Sequence, residues 1–298
     1  MKVALTTVSD DRMGRKGGKY ADTQNKIRDY FEKNINFGIK DFYFYNIEDI
    51  FKTEFYKQNK KIIDCSEPAF NGRCYKPYVI QQTLNELDYG DILIYNDVSP
   101  EWWESIFLEP VLDLNNYSLD IIKDLCIQNG GILTVEALWH IGGEQHPHTH
   151  EYYTLEVCMN RMGMSEFRHS LQHASGIVVL QKSEKSINFV EDWLKYNVID
   201  ECCSLIQIND DGTYGKYYWV EEVELYGKFG HRHDQSISGL LINKMGNKLL
   251  KSTGNYNFLS YCQTNFNYQF IDSVKEPLPF YYKNTLIDGE WVPVLLSR

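Results

Sequence analysis

The chain has no run approaching ~18 consecutive apolar residues, the length a membrane-spanning helix needs. Its opening, MKVALTTVSDD, carries an apolar segment too short for a secretory signal. Basic residues are outnumbered, 30 Lys and Arg against 41 Asp and Glu, which leaves a formal net charge of −11. That deficit argues against a general binder of nucleic acid or of anionic membrane, because both need a basic footprint. A small basic pocket for a phosphate remains compatible with it. The seven cysteines show no Cys-x-x-Cys spacing, and Cys202 and Cys203 are adjacent. A disulfide framework is therefore not expected, and reduced thiols in a cytoplasmic compartment are. There is no internal repeat and no low-complexity linker, so a single domain is expected. A phosphate loop is missing too. In Gly14 to Lys19 (GRKGGK), three residues separate the glycines where the Walker pattern has four, and Tyr20 replaces the magnesium-binding Ser or Thr.

What is present suits a folded enzyme-sized domain. The 298 residues can bury a sizeable core, and 43% hydrophobic with 24% charged residues is ordinary for a globular protein. Tyr is abundant at 22 residues, with 15 Phe and 6 Trp, which suits an aromatic core and also surfaces that stack on sugars. Apolar periodicity predicts strands at Lys2 to Val8, Asp41 to Tyr45, Asp91 to Tyr95, Gly131 to Ala137 and Gly176 to Leu180. It predicts helices at Asp22 to Asn34, Lys76 to Leu87, Ser118 to Ile127 and Ser186 to Tyr196. A further helix follows HRHD, with Ile237, Leu240, Leu241 and Met245 on one face and Gly246 at its end. Strands alternating with helices predict an α/β fold with a mostly parallel sheet and helices on both faces. The residues after position 254 are Tyr- and Asn-rich and predict an irregular extension packed on the same domain.

In such sheets, ligands bind at the carboxyl ends of the strands. Polar residues follow short apolar strands at Thr6 to Asp11, at Asn96 to Ser99 and before Asp234. The loop after the first strand carries Arg12, Arg15, Lys16 and Lys19, a basic set suited to a diphosphate or simply to water. Asp97, at the end of a buried-type strand, suits a divalent ion or a ribose hydroxyl, or plain turn chemistry. Asp234 is a favoured N-cap residue, and that position would also set Asp234 and Gln235 at the cleft. In GGEQHPHTHEYYTLE, His146, His148 and His150 alternate, so an extended chain points all three to one side, with Glu156 following. Such a set could hold zinc or iron. It resembles the first cupin motif with one residue too many before Glu156, and no second cupin motif follows.

Three blocks carry a more specific likeness. CYKPYVIQQTLNELDYGDILIYNDVS, QHASGIVVLQKSEKSINFVEDWL and HRHDQSISGLLINK, in this order, resemble segments of nucleotide-sugar glycosyltransferases of the GT-A fold. With their spacers they cover roughly Arg73 to Lys248. The resemblance implies a GT-A-like catalytic domain over residues 1–254, with 255–298 packed on it. It implies transfer of a sugar from a nucleotide-sugar donor to a glycan or lipid-linked glycan acceptor hydroxyl, as in surface polysaccharide or glycoprotein glycan synthesis. Thr6, Thr7, Arg73, Lys76, Asp97, Ser175 and Gly176 would bind the donor. Asp234 and Gln235 would be catalytic, Asp234 as the base of an inverting enzyme, or either residue as a donor contact in a retaining one. The family's Asp-x-Asp motif reads Asp97-Val98-Ser99 here. A Mn²⁺ or Mg²⁺ ion would then rest on Asp97, completed by His233, His231 or Asn96. Trp102, Trp103 and Phe107 suit an acceptor wall, a peripheral membrane contact or the core. Two other functions suit the sequence: a metal enzyme on His146, His148, His150 and Glu156, or a non-catalytic glycan-binding protein on a transferase scaffold.

Overall fold

A computed structural model of the chain describes residues 1–13, 20–64, 74–100, 103, 116–141, 144–209, 211, 213–218, 230–253, 257–275, 280–287 and 290–297. Arg15, Lys16, Lys19, Arg73, Trp102 and Phe107 lie outside the described residues, and so does the side chain of His146.

The strands that form are β1 (Val3–Ser9), β2 (Asp41–Asn46), β3 (Ile92–Asn96), β4 (Ile132–Glu136), β5 (His173–Gln181), β6 (Leu249–Leu250) and β7 (Phe270–Ile271). They build one seven-stranded sheet in the order β7-β6-β4-β5-β3-β1-β2. β1 pairs in parallel with both β2 and β3, and β6 pairs in parallel with β4. β5 is antiparallel to β3 and β4, and β7 is antiparallel to β6. Five strands thus share one direction, a mostly parallel mixed α/β sheet as the sequence predicts.

The reversed direction of β5 follows from its connection. β4 ends at the carboxyl edge, and the chain stays at that edge until β5 begins. Ala137 N bonds to Gln172 O, His148 N to Ala137 O and Gln172 N to His148 O, which ties the two ends of the excursion together. A strand that starts where its neighbour stopped must run back. This brings the start of β5, including Ser175, to the edge where the parallel strands end.

Helices cover both faces. On one face lie α1 (Tyr20–Lys33) and α4 (Leu119–Gln128), whose Ile27, Phe31, Leu119, Ile122 and Leu125 pack with Ile92, Ile94, Ile177 and Val179. On the other lie α3 (Tyr75–Glu86), α5 (Glu156–Met162), α6 (Glu184–Asn197) and α7 (Asp234–Lys244), packed on Leu93, Tyr95, Val178 and Leu180. A further helix, α2 (Glu54–Ile63), precedes α3 and is capped by Thr53. The strand residues divide alternately between the two layers, so each strand is apolar on both faces and reads as a continuous run. Capping is local and legible. Ser183 and Ser186 form a reciprocal box at the start of α6, and the Ser118 hydroxyl accepts from Asp120 N at α4.

Two expectations are corrected. The C-terminal segment is not irregular throughout: Phe270–Ile271 joins the sheet, and Phe280–Ile287 pairs antiparallel with Glu290–Ser297. Tyr and Asn favour loops when they occur together, but Tyr is also a good strand residue, and pairing decides between the two. Asp234 is also not the N-cap of α7. That position belongs to His233, and Asp234 is the first helical residue.

Gly239 marks a close approach of α7 to the connector. A Cβ there would stand 2.9 Å from His150 Cε1 and 3.1 Å from its Nε2. His150 is fully buried, and its Nδ1 lies 2.7 Å from Thr154 Oγ1, so the ring has little room to yield. Gly239→Ala is expected to destabilise the fold by about 1–3 kcal/mol through overpacking. Urea unfolding should show a lower midpoint at an unchanged slope.

Candidate active site at the carboxyl edge

The sheet order changes direction at β1, with β2 on one side and β3 on the other, so the crevice between β1 and β3 is a topological switch point. The first turn of α3 crosses this crevice, and its consecutive residues Tyr75 and Lys76 serve the two strand ends. Tyr75 donates its hydroxyl to Asp10 Oδ2 at 3.1 Å, beyond the end of β1. Lys76 reaches Asp97, beyond the end of β3.

Lys76 is the centre of the site. Its ammonium lies 2.8 Å from Asp234 Oδ2 and 3.2 Å from Asp97 Oδ1, and it donates to Ser175 O and Oγ at 3.3 Å. Three protons thus face two carboxylates and one serine, and the Tyr95 ring lies 5.3 Å away as a further electron-rich face. Ser175 Oγ donates to Asp234 Oδ2 at 2.9 Å, and Tyr95 donates its phenol to Asp97 Oδ1 at 2.7 Å. Burial first, and the neighbouring Asp97 second, push the Tyr95 phenol well above its ordinary range, so it remains a donor. Only 2% of the Lys76 side chain is exposed, against 14% for Asp97 and 5% for Asp234, so Asp97 is the first of the three that a ligand would meet.

Each partner is held from behind. Asp97 N donates to Gly176 O at 2.8 Å, and Trp103 Nε1 donates to Asp97 O at 2.9 Å. Trp103 is buried against Phe258, which makes it core rather than acceptor wall. Asn96 accepts from Phe258 N on the opposite face. Asp234 O accepts from Trp193 Nε1 at 3.0 Å and from Ser238 Oγ at 2.8 Å. Because the Ser238 proton goes to a carbonyl, His173 Nε2 must donate to Ser238 Oγ across their 2.6 Å contact. That fixes the neutral His173 tautomer, and burial holds its pKa down at about 3.

The β5 register explains why Ser175 faces this layer. Thr134 pairs with Val178, but Glu136 pairs with His173, so an irregularity lies between them. Without it, Ser175 would follow the parity of Ile177 and point to the other face. At α7 the backbone bends at His233, with φ 48 and ψ −118, the one non-glycine residue of positive φ among the described residues. Such backbone is strained and is held by its surroundings. His233 Nδ1 lies 2.9 Å from Cys203 O, and His231 Nε2 lies 2.6 Å from Cys202 O. The bend turns the Asp234 carboxylate toward Lys76 instead of back over its own helix.

The donor-binding and catalytic residues expected from sequence thus divide. Lys76, Asp97, Ser175 and Asp234 meet, with Gly176 bonded to Asp97 through its backbone. Gln235 stands at the margin, where its Nε2 donates to Gln172 Oε1 at 3.0 Å. Thr6 and Thr7 are sealed in the sheet layers, Thr6 with Tyr43 O and Thr83, Thr7 with Gln24. Asp10 and Tyr75 were missed. Asp10 receives Arg12 through both Nε and Nη2, at 2.9 and 2.7 Å, and Arg12 also lies over the Phe51 ring. The sequence signal was there, since Asp10 follows a strand as Asp97 does.

The expected Mn²⁺ or Mg²⁺ does not fit this arrangement. A cation resting on Asp97, as expected, would have to share that carboxylate with the Lys76 ammonium, 3.2 Å from its Oδ1. His233 is turned to Cys203 O. Among the described residues, no group of three or more His, Cys, Asp or Glu side chains is disposed to hold a metal ion. Of the cupin-type set, His148, His150 and Glu156 have other contacts, and the side chain of His146 lies outside the described residues. The extended chain stops at Pro147 and a helical turn starts at His150, so the alternation does not persist. His148 stacks on Tyr153 at 4.1 Å, His150 contacts Thr154, and Glu156 pairs with Arg168.

No protein-family model matches the chain, and no curated protein matches it in sequence. Among solved structures, the apo form of mouse xyloside xylosyltransferase 1 aligns over 81% of this chain and 80% of its own, at 9% identity and a TM-score of 0.28. A likeness of that strength bears on neither fold nor activity.

Lys76→Met should cost about 3–5 kcal/mol, because it leaves two buried carboxylates without their counter-charge. Adding Asp97→Asn and Asp234→Asn to it should recover part of that loss in thermal unfolding. His148 and His173 both have pKa values near 3, against 6.5 for free imidazole. Their contribution is therefore complete above about pH 6.5 and is lost as pH falls toward 3, at about 1.4 kcal/mol per pH unit for each. Replacing His173 by Gln should flatten the acid limb of a stability–pH curve by about one proton.

Proposed function

We propose that the chain is a glycosyltransferase that moves a sugar from a nucleotide-sugar donor to a glycan acceptor hydroxyl. One observation carries this reading. Polar residues from the three sequence blocks, Lys76 and Asp97 from the first, Ser175 from the second and Asp234 from the third, converge on one ammonium at the carboxyl edge of the sheet.

In this reading the donor lies across the β1–β3 crevice. The diphosphate faces Arg12; Arg15, Lys16, Lys19 and Arg73, expected from sequence to assist it, lie outside the described residues. The sugar lies toward Asp97, the more exposed carboxylate. The triad of Lys76, Asp97 and Asp234 has a formal charge of −1, which favours the positive character that a sugar ring gains as its bond to the diphosphate breaks. In an inverting transfer, the acceptor oxygen forms the new bond to the anomeric carbon. The nucleoside diphosphate leaves with the electron pair of the old bond, and the acceptor proton passes to Asp234. In a retaining transfer, Asp234 or Gln235 contacts the donor sugar instead. Lys76 acts through the carboxylates, holding Asp234 by Oδ2 and Asp97 by both oxygens. A glycan or lipid-linked glycan would supply the acceptor. Among the described residues no helix is long and apolar enough to cross a membrane.

The test is a thermal-shift screen of UDP, GDP, CDP and their sugars, since a ligand specific to the folded state raises Tm by mass action. One nucleotide series should raise it. With that donor, Asp234→Asn should retain binding and lose about 10²-fold or more of turnover. Asp97→Asn should weaken donor binding. No shift with any nucleotide would overturn the reading, and glycan binding without donor turnover would replace it with the non-catalytic one.

A further inference from the structure

We infer that Lys76 is the built-in cation of this site: Asp97 and Asp234 form a metal-type carboxylate pair that binds no divalent ion because the chain supplies the charge itself. The geometry stands apart from the transferase reading. Only its consequence, that the donor binds without metal, rests on it.

Three observations carry the inference. The ammonium is within 3.2 Å of an oxygen from each carboxylate, a bridging position that a small divalent ion would otherwise take. It is anchored there by Ser175 O and Oγ, and its side chain is almost wholly buried, so it does not swing out to admit an ion. A divalent ion beside the ammonium would also meet like charge at close range, in surroundings that screen it poorly. The remaining first-layer donors are themselves taken up: Tyr95 on Asp97 and Ser175 on Asp234. Ser99 fits the same account, because a site that carries its own cation needs no second carboxylate after Asp97.

A buried lysine is well suited to the task in one respect and limited in another. It is part of the chain and cannot diffuse away as a bound ion can, so the two carboxylates keep their geometry at any ambient metal concentration. It brings one positive charge rather than two, however, and the triad does not attract a diphosphate by itself. The diphosphate must then be met by guanidinium and ammonium groups elsewhere, and Arg12, fixed by Asp10 across the same crevice, is the described candidate.

Removing the ammonium should uncover the latent cation site. Mn²⁺ titrations followed by thermal shift and by the electron paramagnetic resonance of free Mn²⁺ would compare the wild type with Lys76→Ala. The wild type should leave Mn²⁺ free and its Tm unchanged. Lys76→Ala should start from a lower Tm that rises with Mn²⁺ and saturates, and adding Asp97→Asn should abolish the rise. Mn²⁺ uptake by the wild type that Asp97→Asn removes would overturn the inference, as would a folded Lys76→Ala indifferent to Mn²⁺. Should Lys76→Ala fail to fold, the wild-type titration still decides. A donor nucleotide whose thermal shift survives EDTA agrees with the inference. A shift that requires Mn²⁺ overturns it and leaves the transferase standing, whereas the absence of any nucleotide shift sinks the transferase and leaves the cation result untouched.

Discussion

A single buried ammonium holds the carboxyl edge of this protein together. Lys76 enters from the first turn of α3, Asp97 from the end of β3, Ser175 from the start of β5 and Asp234 from the start of α7. Two carboxylates this close and this buried would repel each other and pay heavily for lost hydration. The lysine between them turns that liability into a geometric constraint. It also ties α3 and α7, which cover the same face of the sheet, to the strand ends beneath them.

Much of the surrounding architecture can be understood as support for this contact. The excursion between β4 and β5 returns at the carboxyl edge, and only because β5 then runs backward does Ser175 arrive beside Lys76. The register irregularity in β5 chooses the face. The strained backbone at His233 aims Asp234, and the network of His173, Ser238 and Trp193 fixes the turn that carries it. None of these devices improves a hydrophobic core. Each costs something locally, which is the pattern expected where position matters more than stability.

The arrangement also sorts the two ends of the β1–β3 crevice by charge. On the β3 side, two carboxylates and one lysine leave a net negative centre. On the β1 side, Asp10 is matched by Arg12. Tyr75 and Lys76, neighbours in sequence, fasten the two ends to one another. A shift of α3 would therefore disturb both ends of the crevice at once.

The layered α/β plan, strands β1 to β5 and helices α1, α3, α4, α6 and α7 were legible in the sequence, because continuous apolar runs such as ILIY and GIVVL and the helical spacing of Ile237, Leu240 and Leu241 follow from local geometry. The chemistry-bearing positions Asp97, Asp234 and Ser175 were legible as strand-end and helix-start residues, and so was Lys76 as a basic residue near a helix start. Their mutual contact was not, since charge pairing across 158 positions leaves no periodic trace. Sequence spacing set three histidines on one side of an extended chain, and the structure ended that extension at Pro147. It placed Asp234 as a cap, and the structure moved the cap to His233. By itself the sequence determined those strands and helices and which polar residues lie at their ends. Only the tertiary structure decided that β5 runs against its neighbours, that Thr6 and Thr7 are sealed inside the sheet layers, and that a lysine stands between the two carboxylates, because these depend on chain return, register and desolvation, which are properties of the packed whole.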